Sequence, residues 1–265
     1  MSLKPVQLQS MALNCARYQS REDIVRLAER LAEIPGLTLA QPGLVDTGRG
    51  PRRHVPFPGS PRELIHGIYK IIEVRPEDRL MNAYGPEAVN FWGIYGSSRG
   101  DPQNQPHRPL EVYLANTMHT RRYSEASATC TVSPNLRIPL EEVAQILSRI
   151  ARAFYDTLHP HLVWVSYPPS FARLAGEDVL ALRLHELHWL NLLGKPYVEK
   201  FGRQVLLAAP VFHTESLEGG GISLQLGQQF TNPQSGPPPA EVLKYFRPLG
   251  VRYLTWPTEI RNAPT

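Results

Sequence analysis

The chain has 265 residues, 42% of them hydrophobic and 20% charged, which is the balance of an ordinary globular protein with a sizeable core. Two cysteines, Cys15 and Cys130, are too few for a disulfide scaffold or a cysteine-ligated zinc site, and each sits in an apolar run that suits a buried, reduced thiol. A net charge of +4 falls short of the dense cationic character of a dedicated nucleic-acid binder. No window approaches the ~18 apolar residues of a membrane-spanning helix, and the N-terminal stretch lacks the basic start and apolar core of a signal peptide. The expectation is a cytoplasmic protein with no membrane partner and no direct nucleic-acid partner.

In chain order, residues 5–18 alternate well enough for a strand. Ser20 with Asp23 three residues on resembles a capping box, and Ile24, Leu27, Ala28, Leu31 and Ile34 then repeat at helical spacing until Pro35-Gly36 stops the helix. Residues 41–61 read as a long irregular loop rich in proline, carrying Arg49, Arg52 and Arg53. Residues 62–74 fit a short helix or a helix running into a strand, and 89–96 an aromatic-rich strand. A second polar loop, 97–109, carries Arg99, Asp101 and Arg108. Two strand-like runs at 109–117 and 124–133 suggest a hairpin or meander whose turn holds Arg121 and Arg122.

The strongest helical pattern is 139–158. Val143, Ile146, Leu147, Ile150, Phe154 and Leu158 line one side, Glu141, Glu142, Arg149, Arg152 and Asp156 the other, and Pro139 and the two glutamates suit the first turn. Residues 161–169 read as a strand ended by Pro168-Pro169. The runs VLLAAPVFHTES and GISLQLG predict two strands around the turn at Gly219, Gly220 and Gly221, and a short helix near the C-terminus follows a loop at 231–239. The sum is an α+β fold: mostly antiparallel sheet with amphipathic helices packed on one face. It is read as one domain, 1–265, with room for two sub-structures meeting near residue 134.

His185-Glu186-Leu187-His188 lacks one residue of the metalloprotease pattern, which needs two histidines at i and i+4 on one helical face. At a spacing of three in an extended segment the two rings point to opposite sides, so satisfied or surface histidines are the plainer reading. His159-Pro160-His161 fits a turn after a helix. There is no Gly-x-Ser-x-Gly elbow, no Walker-type phosphate loop and no Gly-x-Gly-x-x-Gly. The aromatic strand at 91–95 has rings but no interleaved basic residues, so core packing accounts for it better than a nucleic-acid platform. These readings predict no catalytic residues, no metal and no cofactor. The alternatives kept beside this are a small metal-dependent hydrolase using His185, Glu186 and His188, and an effector chaperone or adaptor.

Residues 188–227, HWLNLLGKPYVEKFGRQVLLAAPVFHTESLEGGGISLQLG, resemble the C-terminal region of the immunity protein 52 family of bacterial polymorphic-toxin immunity proteins. The features that carry the resemblance are a Trp-Leu-Asn strand end, a Gly-Lys-Pro-Tyr-Val helix start and a hairpin through Gly219–Gly221, with WVSY at 164–167 ahead of them. The resemblance implies a cytoplasmic antidote that binds, without turnover, a restriction-endonuclease-like toxin delivered by type VI secretion. On the physical side, a nuclease presents a cationic groove to its substrate, so a chain with net positive charge is poorly suited to whole-surface DNA mimicry. That leaves a local acidic patch around Glu141 and Glu142, or arginines (Arg49, Arg52, Arg53, Arg99 and Arg108, with Asp101 beside them) meeting acidic groups of the toxin. Trp189, Leu190, Leu193 and Tyr197 are expected in the core, with Gly194 permitting a turn.

Overall fold

The computed structural model describes residues 6–15, 20–42, 54–56, 59–74, 89–95, 108–116, 123–132, 140–166, 176–230 and 232–255. Strand β1 (Val6–Cys15) leads to helix α1 (Arg21–Ala32), whose start is the capping box expected from its sequence. Ser20 Oγ accepts from the Asp23 N–H at 3.1 Å, and Asp23 Oδ2 accepts from the Ser20 N–H at 2.9 Å. Asp23 is also paired with Arg26. The stripe of Ile24, Leu27, Ala28 and Leu31 is buried, and the chain leaves the helix through Gly36 at φ 80°.

Strands β2 (Leu37–Pro42) and β3 (His54–Pro56), helix α2 (Pro61–Val74) and strands β4 (Val89–Tyr95), β5 (Arg108–Asn116) and β6 (Tyr123–Val132) complete the first half. Residues 62–74 are helical throughout, so the helix-into-strand alternative drops out. The short β3 interrupts what was read as loop from 41 to 61. Arg62 joins the first two helices, donating to Glu22 at 2.9 Å and to Glu29 at 3.2 Å.

Helix α3 (Leu140–Leu158) is followed by β7 (Leu162–Ser166), α4 (Gly176–Leu180), β8 (Glu186–His188) and β9 (Leu190–Leu193). Then come α5 (Lys195–Phe201), α6 (Arg203–Leu207), β10 (His213–Ser216), β11 (Ile222–Gln225), α7 (Pro239–Phe246) and β12 (Tyr253–Thr255). Residues 205–207, expected to open a strand, close the short helix α6 instead. Gly202, at φ 90°, ends one helix and starts the next, and a dense apolar run of this length carries no period that separates strand from helix.

Ten strands form one antiparallel sheet in the order β10-β11-β9-β7-β1-β6-β5-β4-β2-β3. The hairpin foreseen at 109–133 is present, with Leu110 opposite Cys130 and Asn116 opposite Ser124. The fold is therefore α+β, with α1 packed against both α2 and α3 and α3 lying against β1, β6, β7 and β9. The boundary considered near 134 lies outside the described residues. On either side of it the same sheet continues, because β1 pairs with β6 along one edge and with β7 along the other.

Strand β7 is buried at all five positions and β9 at all four. Residues of both alternating sets are covered, so this part of the sheet has material on both faces. One contributor is β8, which pairs in parallel with β12 to make a separate two-stranded sheet. Gly194 was expected to permit a turn through its backbone freedom. Its φ of −70° is open to any residue. What requires glycine there is crowding, because a Cβ would run into the carbonyls of Pro160 and His161.

Candidate functional site: the 184–230 frame and its exposed margin

The segment that opens with the two histidines is where the two sheets meet. The chain leaves the small sheet at His188, turns at Trp189 and enters the large sheet at Leu190. Asn191 holds this corner. Its Oδ1 accepts from the His188 N–H at 2.9 Å, and its Nδ2 donates to the His188 carbonyl at 2.7 Å. Asn191 is fully buried, so these bonds supply both backbone groups of His188 where water does not reach. Trp189 is pinned in turn. Its Nε1 donates to the Gly227 carbonyl at 2.9 Å and its ring meets Phe230 edge-on at 5.3 Å. Leu190, Leu193 and Tyr197 are buried as expected, and the Tyr197 hydroxyl donates to the Arg183 carbonyl at 3.1 Å.

The candidate metal triad does not converge. His188 lies 1% exposed, its ring stacked on Trp164 with centroids 5.4 Å apart and planes 16° from parallel. Neither ring nitrogen meets a hydrogen-bond partner among the described residues, and burial pushes the imidazole down to about 3. His185, half-buried, turns toward Asp178, with Nε2 3.5 Å from its carboxylate, while Arg183 holds the same oxygen at 2.8 Å. Glu186 is buried on β8. The odd separation of the two histidines along an extended segment sends their rings apart. Among the described residues no group of three His, Cys, Asp or Glu side chains could hold a metal ion. His159 sits at the end of α3 with φ 47°, its N–H bonded to the Tyr155 carbonyl at 3.0 Å, which is the turn expected of His159-Pro160-His161. Burial lowers the affinity of His161 for a proton.

The state of His188 gives a testable sign. The unfolded chain takes up a proton at this position below its ordinary value of 6.5, whereas the folded chain resists until about 3. Stability from this group is thus complete above pH 6.5 and is lost as pH falls below it, by about 2 kcal/mol at pH 5. Urea unfolding at pH 7 and at pH 5 is expected to show that loss, and His188→Phe, which keeps the stacked ring without the titration, to show less of it.

The candidate contact residues fall into two groups. Arg49, Arg52, Arg53, Arg99 and Asp101 lie outside the described residues. Arg108 opens β5, paired with Tyr95. Glu141 and Glu142 stand half-buried in the first turn of α3. Glu141 is not an exposed acid free for a partner, because its two oxygens accept from the Phe230 N–H at 2.8 and 3.1 Å. That bond anchors the segment carrying Phe230 against Trp189. Sequence reasoning placed Glu141 on a solvent face because nothing in a one-dimensional pattern marks a backbone N–H that lies 89 residues away.

A feature missed in the sequence is the margin of the frame. Val205 and Leu207 on α6 and Phe212 just before β10 are 41%, 37% and 44% exposed. Strand β10 forms the end of the large sheet, with three of its four residues exposed and one half-buried. Arg152 of α3 reaches Glu215 on β10 through two bonds, at 2.9 and 3.2 Å. The pair holds the Glu215 carboxyl below the usual range and the Arg152 guanidinium above its own. Beside it, burial raises the Asp156 carboxyl against the pull of Arg152.

No protein-family model matches the chain, and no curated protein matches it significantly. No helix among the described residues is long and apolar enough to cross a membrane.

Proposed function

We propose that this chain is a cytoplasmic immunity protein of the immunity protein 52 type, which binds a cognate restriction-endonuclease-like toxin delivered by type VI secretion. It neutralises the toxin by stoichiometric binding, without turnover and without a cofactor. The observation that supports this reading best is how the segment carrying the resemblance is used. Its large side chains Trp189, Leu193, Tyr197 and Leu224 are spent on packing, and His188, which opens it, points away from His185 just ahead of it. A frame of that kind leaves function to the groups carried on its surface, which is compatible with binding a protein. The hydrolase alternative needs His185, Glu186 and His188 around one reacting centre, and that arrangement finds no support in their directions.

Inhibition fits better with arginines meeting acidic groups of the toxin than with an acidic plug in its nuclease groove. The chain carries net positive charge, and Glu141 already serves Phe230. Co-production with the toxin is expected to restore growth of susceptible cells. Charge reversal of Arg49, Arg52 and Arg53 together is expected to weaken protection, while Glu142→Lys leaves it intact. Weakening by Glu142→Lys alone, with the arginine variant still protective, would place the acidic patch in the groove instead. Glu141 is unsuited to this comparison because its loss would disturb the frame.

A further inference from the structure

We infer that β10 is a self-association edge, joining two copies of this chain strand to strand about a two-fold axis at Thr214. Among the described residues no strand lies beyond β10, so half of its backbone N–H and C=O groups face outward from the end of the ten-stranded sheet. Natural edges are commonly blunted by an uncompensated charge. Here the charge on Glu215 is offset by the bidentate contact with Arg152. The margin is apolar besides: Phe212 immediately precedes the strand, and α6, which carries Val205 and Leu207, packs against it. The Thr214 hydroxyl donates to the Leu207 carbonyl at 3.3 Å, tying that helix to the strand.

The occupant follows from the strand's own sequence, His213-Thr214-Glu215-Ser216. An antiparallel pair centred on Thr214 places His213 of each copy opposite Glu215 of the other, twice by symmetry. Thr214 meets Thr214 at the axis, and Phe212 meets Ser216. An imidazole N–H facing a carboxylate and a pair of threonines are favourable cross-strand neighbours, and a patch complementary to itself is what a closed two-fold dimer requires.

This inference is independent of the proposed function, and its test needs no toxin. Sedimentation of the full chain over a range of concentrations is expected to show a species of twice the 29.8 kDa chain mass that dissociates on dilution. His213→Glu sets two carboxylates face to face at both sites and is expected to raise the dissociation constant about tenfold. His213→Lys keeps the attraction and is expected to preserve the dimer. Position 213 is exposed, so both variants should fold, with circular dichroism as the check. A monomer at every concentration, or a dimer that responds to neither substitution, overturns the inference.

Discussion

Trp189→Ala is expected to be the most damaging single truncation in the 184–230 frame, lowering stability by about 3–5 kcal/mol. The indole is 4% exposed, so its removal leaves a cavity that the sheet on one side and Phe230 on the other can only partly fill. The carbonyl of the buried Gly227 loses the Nε1 donor at the same time and keeps the Gln225 Nε2 donor at 2.8 Å. Phe230 also loses its edge-to-face partner, which loosens the segment that Glu141 anchors. Trp189→Phe separates these contributions. It keeps most of the volume and the aromatic contact while deleting the N–H, so a loss of about 1–2 kcal/mol is expected. Urea unfolding measures both. Equal losses from the two substitutions would mean that the hydrogen bond, and not the packing, dominates.

Asn191→Ala should be nearly as costly, though by a different route. The volume removed is small, but the substitution strips partners from both the N–H and the carbonyl of His188 in a place closed to water. Each orphaned buried group costs about 1–3 kcal/mol, giving a loss of roughly 2–6 kcal/mol in total. The effect should also be local in a way the tryptophan variant is not. The His188 amide loses its acceptor, so its hydrogen exchange should accelerate before the sheet as a whole opens. An unchanged exchange rate at His188, with stability within about 0.5 kcal/mol of the parent, would show that Asn191 does not hold the corner. Weaker dependence of stability on pH below 6.5 in this variant, as the loosened imidazole takes up a proton in the folded chain, would link the corner to the neutral state of its buried ring.

Much of the architecture could be read from the residues because the signals were local. The Ser20–Asp23 box and the stripe from Ile24 to Leu31 contain within one helix all that is needed to place α1. Pro139, the glutamates at 141 and 142 and six apolar positions did the same for α3. Strand β5 announced itself by the alternation of Leu110, Val112 and Leu114, and β6 by a run of small residues bounded as a strand. What escaped was non-local. Strands β8 and β12 have three residues each and pair in parallel across the whole C-terminal region, so neither carries an alternation long enough to notice. Residues 205–207 were assigned to a strand because a short apolar run is ambiguous until the glycine ahead of it is seen to start a helix. At the candidate site, divergence of the two histidines was foreseeable from their spacing, whereas the Trp164 ring that covers one of them was not. The role of Glu141 and the exposed margin at Val205, Leu207 and Phe212 depend on how distant segments come together, which no local pattern encodes.

The same logic separates the frame from whatever it presents. Substitutions at Trp189 or Asn191 should reduce protection only to the extent that they reduce the folded fraction. Substitutions at Arg49, Arg52 and Arg53 should reduce protection with stability unchanged. A binder is expected to divide its residues in that way, with a rigid core fixing the contacts and the contacts setting affinity.

Titrating a fixed amount of the cognate nuclease toxin with the purified chain tests the central claim most directly. The account predicts that nuclease activity falls linearly and vanishes at one chain per toxin, with a complex of that ratio recovered and the toxin intact. Loss of activity at a small fraction of that ratio, with the toxin chemically altered, would contradict it by showing turnover.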